Sequence, residues 1–231
     1  MTHTEPPFGV REPFWFGLPD VTHVTLVRHA QQDYPDPVNF DPAAWVDPPL
    51  SDLGRQQALA VGRGLADDQV DVVLASPMSR AQDTARAIAE PHGLPVVTAT
   101  GLHEIESFRE LAAGQNPKDH VSAEEWAERT RRYRVERRWD LMPFSESAAE
   151  FHARCAENFA TLLAAHPGER IVLVTHGGVI NSILAGVLGL DEDLFFLPAH
   201  ASMSTVAFHE GVGRLRSINE YRHIPSGILT V

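Results

Sequence analysis

A few side chains in this sequence stand where short apolar runs end. Arg28 and His29 close the run Val24–Thr25–Leu26–Val27, and Ser76 follows Val70–Ala75 with Arg80 one turn further on. His176 closes Arg170–Thr175, and Glu104 comes shortly after a further run, Pro95–Thr100. Two arginines and two histidines meeting at one point would make a pocket for a doubly charged tetrahedral oxyanion, because guanidinium forks match phosphate oxygens two at a time. Gly177 and Gly178 follow His176 directly, and amides at such a helix start would add donors to the same anion. A lone histidine at a strand end is commonly just hydrogen-bonded, and a lone arginine salt-bridged. Polar groups after successive runs ask for more, provided that the runs are neighbouring strands of one sheet.

The apolar pattern predicts such a sheet. Continuous apolar runs suit strands buried on both faces, and ligands bind at the carboxyl rim of open α/β sheets. Between the runs lie helical patterns: one opened by Ser51 as N-cap and reaching about Asp67, with Leu53, Ala58, Val61 and Leu65 on one face, and one from Ser79 to Glu90. Two more cover about Ala148 to His166 and Val179 to Leu188. Two last strands, Ser204–His209 and Arg214–Glu220, read as a hairpin across Gly211–Val212–Gly213. Strands alternating with helices predict a three-layer α/β/α sandwich around a mostly parallel sheet.

The organisation expected is a single domain over residues 21–231, preceded by an irregular arm over residues 1–20 that carries Phe14, Trp15 and Phe16. A cap inserted at about residues 107–147 includes a helix from Ser122 to about Trp139. Its arginines, Arg129, Arg131, Arg132, Arg134, Arg137 and Arg138, read more readily as partners of Glu124, Glu125, Glu128 and Glu136 than as a cationic lid. The Pro- and Asp-rich loop Gln31–Pro49 either walls the pocket or merely crosses the surface.

A net charge of −12 argues against a general nucleic-acid binder and leaves any anion site to local arginines. The single cysteine, Cys155, excludes an intramolecular disulfide and falls in the helical pattern Phe151, Cys155, Phe159, Leu162, as a buried thiol. No signal peptide and no membrane-spanning run is visible, so the cytoplasm is the expected location. The histidines show no HExxH pair, and neither a metal nor another cofactor is expected.

Taken in order, four stretches resemble the signatures of the histidine phosphatase superfamily, the phosphoglycerate mutase-like family. Leu26–Val27–Arg28–His29 is similar to its RHG motif, and Leu50–Ser51–Asp52–Leu53–Gly54 with Gln57–Ala58 to L-[ST]-x-x-G-x-x-Q-A. Ser76–Pro77–Met78–Ser79–Arg80–Ala81 with Thr84–Ala85 resembles S-x-x-x-R-A-x-x-T-A, and Val174–Thr175–His176–Gly177 resembles V-[ST]-H-G. The resemblance implies that His29 is a nucleophile carrying a transient phosphohistidine. It implies that Arg28, Arg80 and His176 hold the phosphoryl oxygens together with Gly177, and that Glu104 rather than Glu106 or Glu110 is the proton donor. The reaction implied is metal-independent hydrolysis of a phosphomonoester.

The family motif commonly continues differently. Ala30 stands for its glycine, Gln32 for Ser/Thr and Pro35 for Asn, leaving Gln32 as a secondary candidate for substrate contact through its amide. Phosphoglycerate mutase-type transfer and a catalytically silent protein that only binds phosphorylated ligands are the alternatives. A small phosphorylated metabolite or a phosphoprotein would suit the inner pocket equally, and homo-oligomerisation is left open.

Overall fold

The run that ends in Arg28 and His29 forms the centre of the sheet. In the computed structural model, which describes residues 20–35, 42–112 and 115–231, it is strand β1 (Thr22–Arg28). Val24, Leu26 and Val27 are buried there. The other strands are β2 (Val72–Ala75), β3 (Val96–Thr98), β4 (Arg170–Thr175), β5 (Met203–His209) and β6 (Val212–Glu220), in the order β3-β2-β4-β1-β5-β6. β1 to β4 are mutually parallel, whereas β5 runs antiparallel to β1 and β6 antiparallel to β5.

Two helical layers cover this sheet. Alternate strand residues Leu26, Leu74 and Leu173 pack with Phe151, Phe159, Ile180 and Leu184 from α5 (Ala148–Ala165) and α6 (Gly177–Leu188). Val27, Val73, Val172 and Val174 face the other way, onto Ala58, Val61, Ala85 and Ile88 from α2 (Asp52–Leu65) and α3 (Ser79–Ala89). Each fully buried Val, Leu, Ile or Phe side chain among these contributes about 1.5–3 kcal/mol. Cys155 sits in the first of these cores, and burial pushes its thiol up to about 12, far from a reactive thiolate.

The register brings the chemistry together. Arg28 lies opposite Thr175 and Ala75 opposite Val174, so β1, β2 and β4 end level with one another. His29 N–H donates to Thr175 O at 2.8 Å and Ser76 N–H to Val174 O at 2.9 Å.

Some local expectations shift. The hairpin turn is Glu210–Gly211, with φ of 48° and 77°, because Val212 and Gly213 already pair with His209 and Phe208. β2 starts at Val72 rather than Val70, and α6 at Gly177 rather than Val179. The loop after β1 contains a short helix, α1 (Pro42–Val46), and an isolated bridge between Gln32 and Leu50. Between β3 and α5 lies α4 (Ala123–Glu136). Of the six arginines in and just after it, three pair as expected, Arg129 with Glu125, Arg131 with Glu128 and Arg132 with Glu136, while Arg138 pairs with Asp140 instead. Glu124 joins none of these pairs, and each is worth only a few tenths of a kcal/mol on an exposed helix. The arm expected over residues 1–20 lies outside the described residues except for Asp20. Among the described residues no helix is long and apolar enough to cross a membrane.

Candidate active site

Level strand ends and one helix start place Arg80 between the two histidines. Arg80 lies in the first turn of α3, whose own N-cap residue, Met78, supplies no side-chain cap. Asp47 caps it from the preceding loop instead, accepting from Ser79 N–H at 2.9 Å. The same carboxylate and the Val46 carbonyl meet Arg80 Nη1 at 3.5 and 3.3 Å. The loop after β1 therefore fixes the guanidinium.

The hydrogen-bond network assigns both imidazole tautomers. His29 Nδ1–H donates to the carbonyl of Ala30 at 2.7 Å, which leaves Nε2 unprotonated, and its lone pair accepts from Arg80 Nε–H at 3.3 Å. Arg80 Nη2 donates to His176 Nδ1 at 3.3 Å, so His176 carries its proton on Nε2 and donates to Ser76 Oγ at 2.7 Å. The two rings are 5.0 Å apart, and His29, Arg80 and His176 are all buried. Burial first, then the Arg80 and Arg28 cations, hold His29 well below its ordinary range. Burial, Arg80 and His29 do the same to His176.

His200 completes this group from beneath. Its ring lies 5.9 Å from that of His29, and its Nδ1 pairs with Thr230 Oγ1 at 2.9 Å. Burial and Arg28 push it down to about 3. An unfolded chain takes up protons on these histidines below about pH 6.5, whereas the folded protein does not. Their contribution to stability is thus present above that pH and lost as pH falls toward the folded values. Imidazole nitrogen shifts should therefore report neutral His29 and His176 at about pH 5.5, while the denaturant midpoint falls steadily from about pH 7 to 5. Protonated rings in the folded protein at that pH, or a flat midpoint, would contradict this assignment.

Arg28 reaches the same space from β1. Its Nη1 donates to the Pro198 carbonyl, and its Nε is buried with no partner among the described residues. Gly177 packs beside it, since a side chain there would start 3.7 Å from Arg28 Nε. A buried guanidinium nitrogen without a partner suits an anion, since burying a donor unpaired is costly.

The remaining residues of the sequence signatures build the frame of the loop after His29. Thr84 Oγ1 accepts from Ala30 N–H at 3.1 Å, and Gln57 Oε1 from Gln31 N–H at 2.8 Å. Ser51 caps α2 through Gly54 N–H and also donates to Gln31 Oε1. Gly54 is required there because a Cβ would sit 1.9 Å from the Gln31 carbonyl oxygen. Gln32 pairs through its backbone with Leu50 and is half-buried; among the described residues its side chain makes no hydrogen bond to Arg28, His29, Arg80 or His176.

Glu104 enters from the loop after β3. Its carboxylate accepts from Gly178 N–H and Ile105 N–H, both at 3.1 Å. One of the amides expected to face an anion is thus used to hold Glu104. A Cβ on Gly178 would lie 2.4 Å from Glu104 Oε1 and 2.9 Å from the Trp139 ring, so only glycine admits both. Glu106 and Glu110 are exposed. Trp139 and, on α4, Tyr133 lie beside Glu104 with ring centroids 5.8 Å apart and planes tilted by 41°, and burial followed by the Glu104 charge raises the Tyr133 phenol to about 12.

His200, Asp47, Tyr133 and Trp139 were not among the residues expected from the sequence. The signal for His200 was its place just before an antiparallel strand, whose beginning shares the rim with the ends of the parallel ones. Asp47, Tyr133 and Trp139 gave none, since only the chain's path brings them here. A groove of about 650 Å³ opens at the other rim, lined by His23, Asp68, Arg170 and Thr205, and includes none of these groups.

The sequence model of the histidine phosphatase superfamily (branch 1) matches residues 24–221. The uncharacterized phosphatase PhoE of Bacillus subtilis is 29% identical over 209 residues, covering 88% of this chain and 97% of the relative. The glucosyl-3-phosphoglycerate phosphatase of Mycolicibacterium vanbaalenii is 30% identical over 205 residues, 85% of this chain and 87% of the relative. The solved structure of a mycobacterial glucosyl-3-phosphoglycerate phosphatase superposes with a TM-score of 0.68 at 26% identity, covering 87% of this chain and all (100%) of the other.

Proposed function

The chain belongs to the histidine phosphatase superfamily, branch 1, and we propose that it hydrolyses a small phosphomonoester through a phosphohistidine on His29. The observation that carries this reading is the tautomer of His29: its Nε2 carries no proton and its lone pair faces the Arg80 Nε–H in a pocket that disfavours the charged ring. The relatives named as phosphatases support the reaction class.

In this reading the phosphoryl group of a phosphomonoester displaces Arg80 Nε–H from the lone pair. Arg28, Arg80 and His176 then take its non-bridging oxygens, whose charge is redistributed in the transition state. His29 Nε2 forms the bond to phosphorus as the ester oxygen leaves with its electron pair and takes the proton of Glu104. Glu104, now a carboxylate, removes a proton from water, which attacks phosphorus and returns His29 neutral. The net change is ester plus water to alcohol plus phosphate. Binding of a dianion favours protonation of His176 Nδ1, turning it from an acceptor of Arg80 into a donor to the phosphoryl group.

The test is turnover of p-nitrophenyl phosphate by the purified protein in the presence of a chelator. Release of nitrophenol unaffected by chelator is expected, as is competitive inhibition by inorganic phosphate or vanadate. Turnover abolished by chelator and restored by a divalent cation would contradict the proposed chemistry.

A further inference from the structure

The segment that carries Glu104 belongs to neither helix nor strand. A proton donor must nevertheless be held to within about 0.5 Å of its productive position. Two side chains outside the reaction centre close on this segment from both ends. Arg154, on α5, donates from Nη1 to the carbonyls of Gly101 at 2.7 Å and His103 at 3.0 Å. Its Nε and Nη2 form a two-pronged pair with Glu146 at 3.0 and 2.6 Å. Glu146 Oε2 accepts from Glu106 N–H at 3.3 Å, and the amide of Glu146 donates to the Glu106 carbonyl at 3.0 Å. The backbone on both sides of Glu104 is thus gripped by one ion pair, with the Phe151 ring 5.2 Å from the Arg154 guanidinium carbon.

A buried ion pair is a poor source of stability by itself, because desolvation offsets its attraction. Glu146 is 4% exposed, so that cost applies to it. What an apolar pair of the same size could not do is satisfy the carbonyls before Glu104 and the amide after it. Neither Arg154 nor Glu146 contacts His29, Arg80 or His176, so any effect on the reaction runs through the loop.

We propose that Arg154 and Glu146 are positioning residues for proton transfer, clamping residues 101–106 so that the Glu104 carboxyl meets the leaving oxygen as the phosphorus–oxygen bond breaks. This rests on the phosphatase reading. The clamp matters only when the departing alkoxide needs the proton. An acidic phenol leaves without it, and an alcohol does not.

The experiment compares kcat/KM for p-nitrophenyl phosphate and for β-glycerophosphate in the wild type, Arg154→Met, Arg154→Lys and Glu146→Gln. Arg154→Met should lose about 30-fold or more on the alkyl ester and no more than about threefold on the aryl ester. Arg154→Lys should recover little, since an ammonium cannot bridge two carbonyls and a carboxylate in one plane. Glu146→Gln, which keeps the shape and is the variant to use if Arg154→Met does not fold, should show the same leaving-group bias at smaller size. Equal losses on both esters, or none on the alkyl ester, would overturn the clamp. Wild-type protein unable to hydrolyse the alkyl ester would count instead against the phosphatase reading.

Discussion

Replacing His29 with alanine lowers kcat/KM for any phosphomonoester by about 10⁴-fold or more, the scale on which enzymes lose activity with their nucleophile. His176, whose ring lies 5.0 Å from that of His29, cannot substitute, because it is tied by Ser76 at Nε2 and by Arg80 at Nδ1. The variant should fold, because the lost ring makes two hydrogen bonds, one to the carbonyl of the next residue and one from Arg80 Nε–H, and a buried imidazole next to two cations is not a strong source of stability. Thermal unfolding measured beside the kinetics separates the two effects. Residual turnover within tenfold of the wild type would exclude His29 as the attacking group.

Glu104→Gln should lose about 10²- to 10⁴-fold on alkyl esters, the usual range for a general acid, and far less on p-nitrophenyl phosphate. The amide keeps the volume and one oxygen acceptor for the amides of Gly178 and Ile105, but it has no proton to transfer. If Glu106 or Glu110, both exposed, supplied the proton instead, Glu104→Gln would show no leaving-group dependence. The same bias read in Arg154→Met would tie the two residues to one step.

The sheet and its rim groups were legible in the sequence because each apolar run ends in the residue that matters. Arg28 ends its strand and His29, Ser76 and His176 follow theirs with no intervening loop, and parallel pairing alone brings them level. Arg80 follows from the helix that Pro77 introduces. Glu104 was harder, since its position depends on the close approach of Gly178 and on a long-range clamp from α5. His200 follows no strand: β5 runs antiparallel to β1, so the segment just before it, not after it, reaches the rim. Tyr133 and Trp139 lie in a segment whose sequence is dominated by paired surface charge, so two apolar side chains facing inward leave no periodic trace. Ser51, Gly54, Gln57 and Thr84 stand in the sequence as parts of family-like motifs; their physical role, the seating of residues 30–31 behind His29, rests on contacts between segments far apart in the chain.

The central claim is that His29 carries the phosphoryl group, and the most direct measurement is to trap it. Protein mixed with a radiolabelled phosphomonoester and quenched in alkali within a single turnover should retain label that is stable to base, released by mild acid and located by peptide mapping on His29. The label should be absent from His29→Ala and should accumulate when water attack is slowed in Glu104→Gln with an aryl ester. A wild-type protein that turns over the ester at the same quench times without ever retaining acid-labile label on His29 would contradict the account.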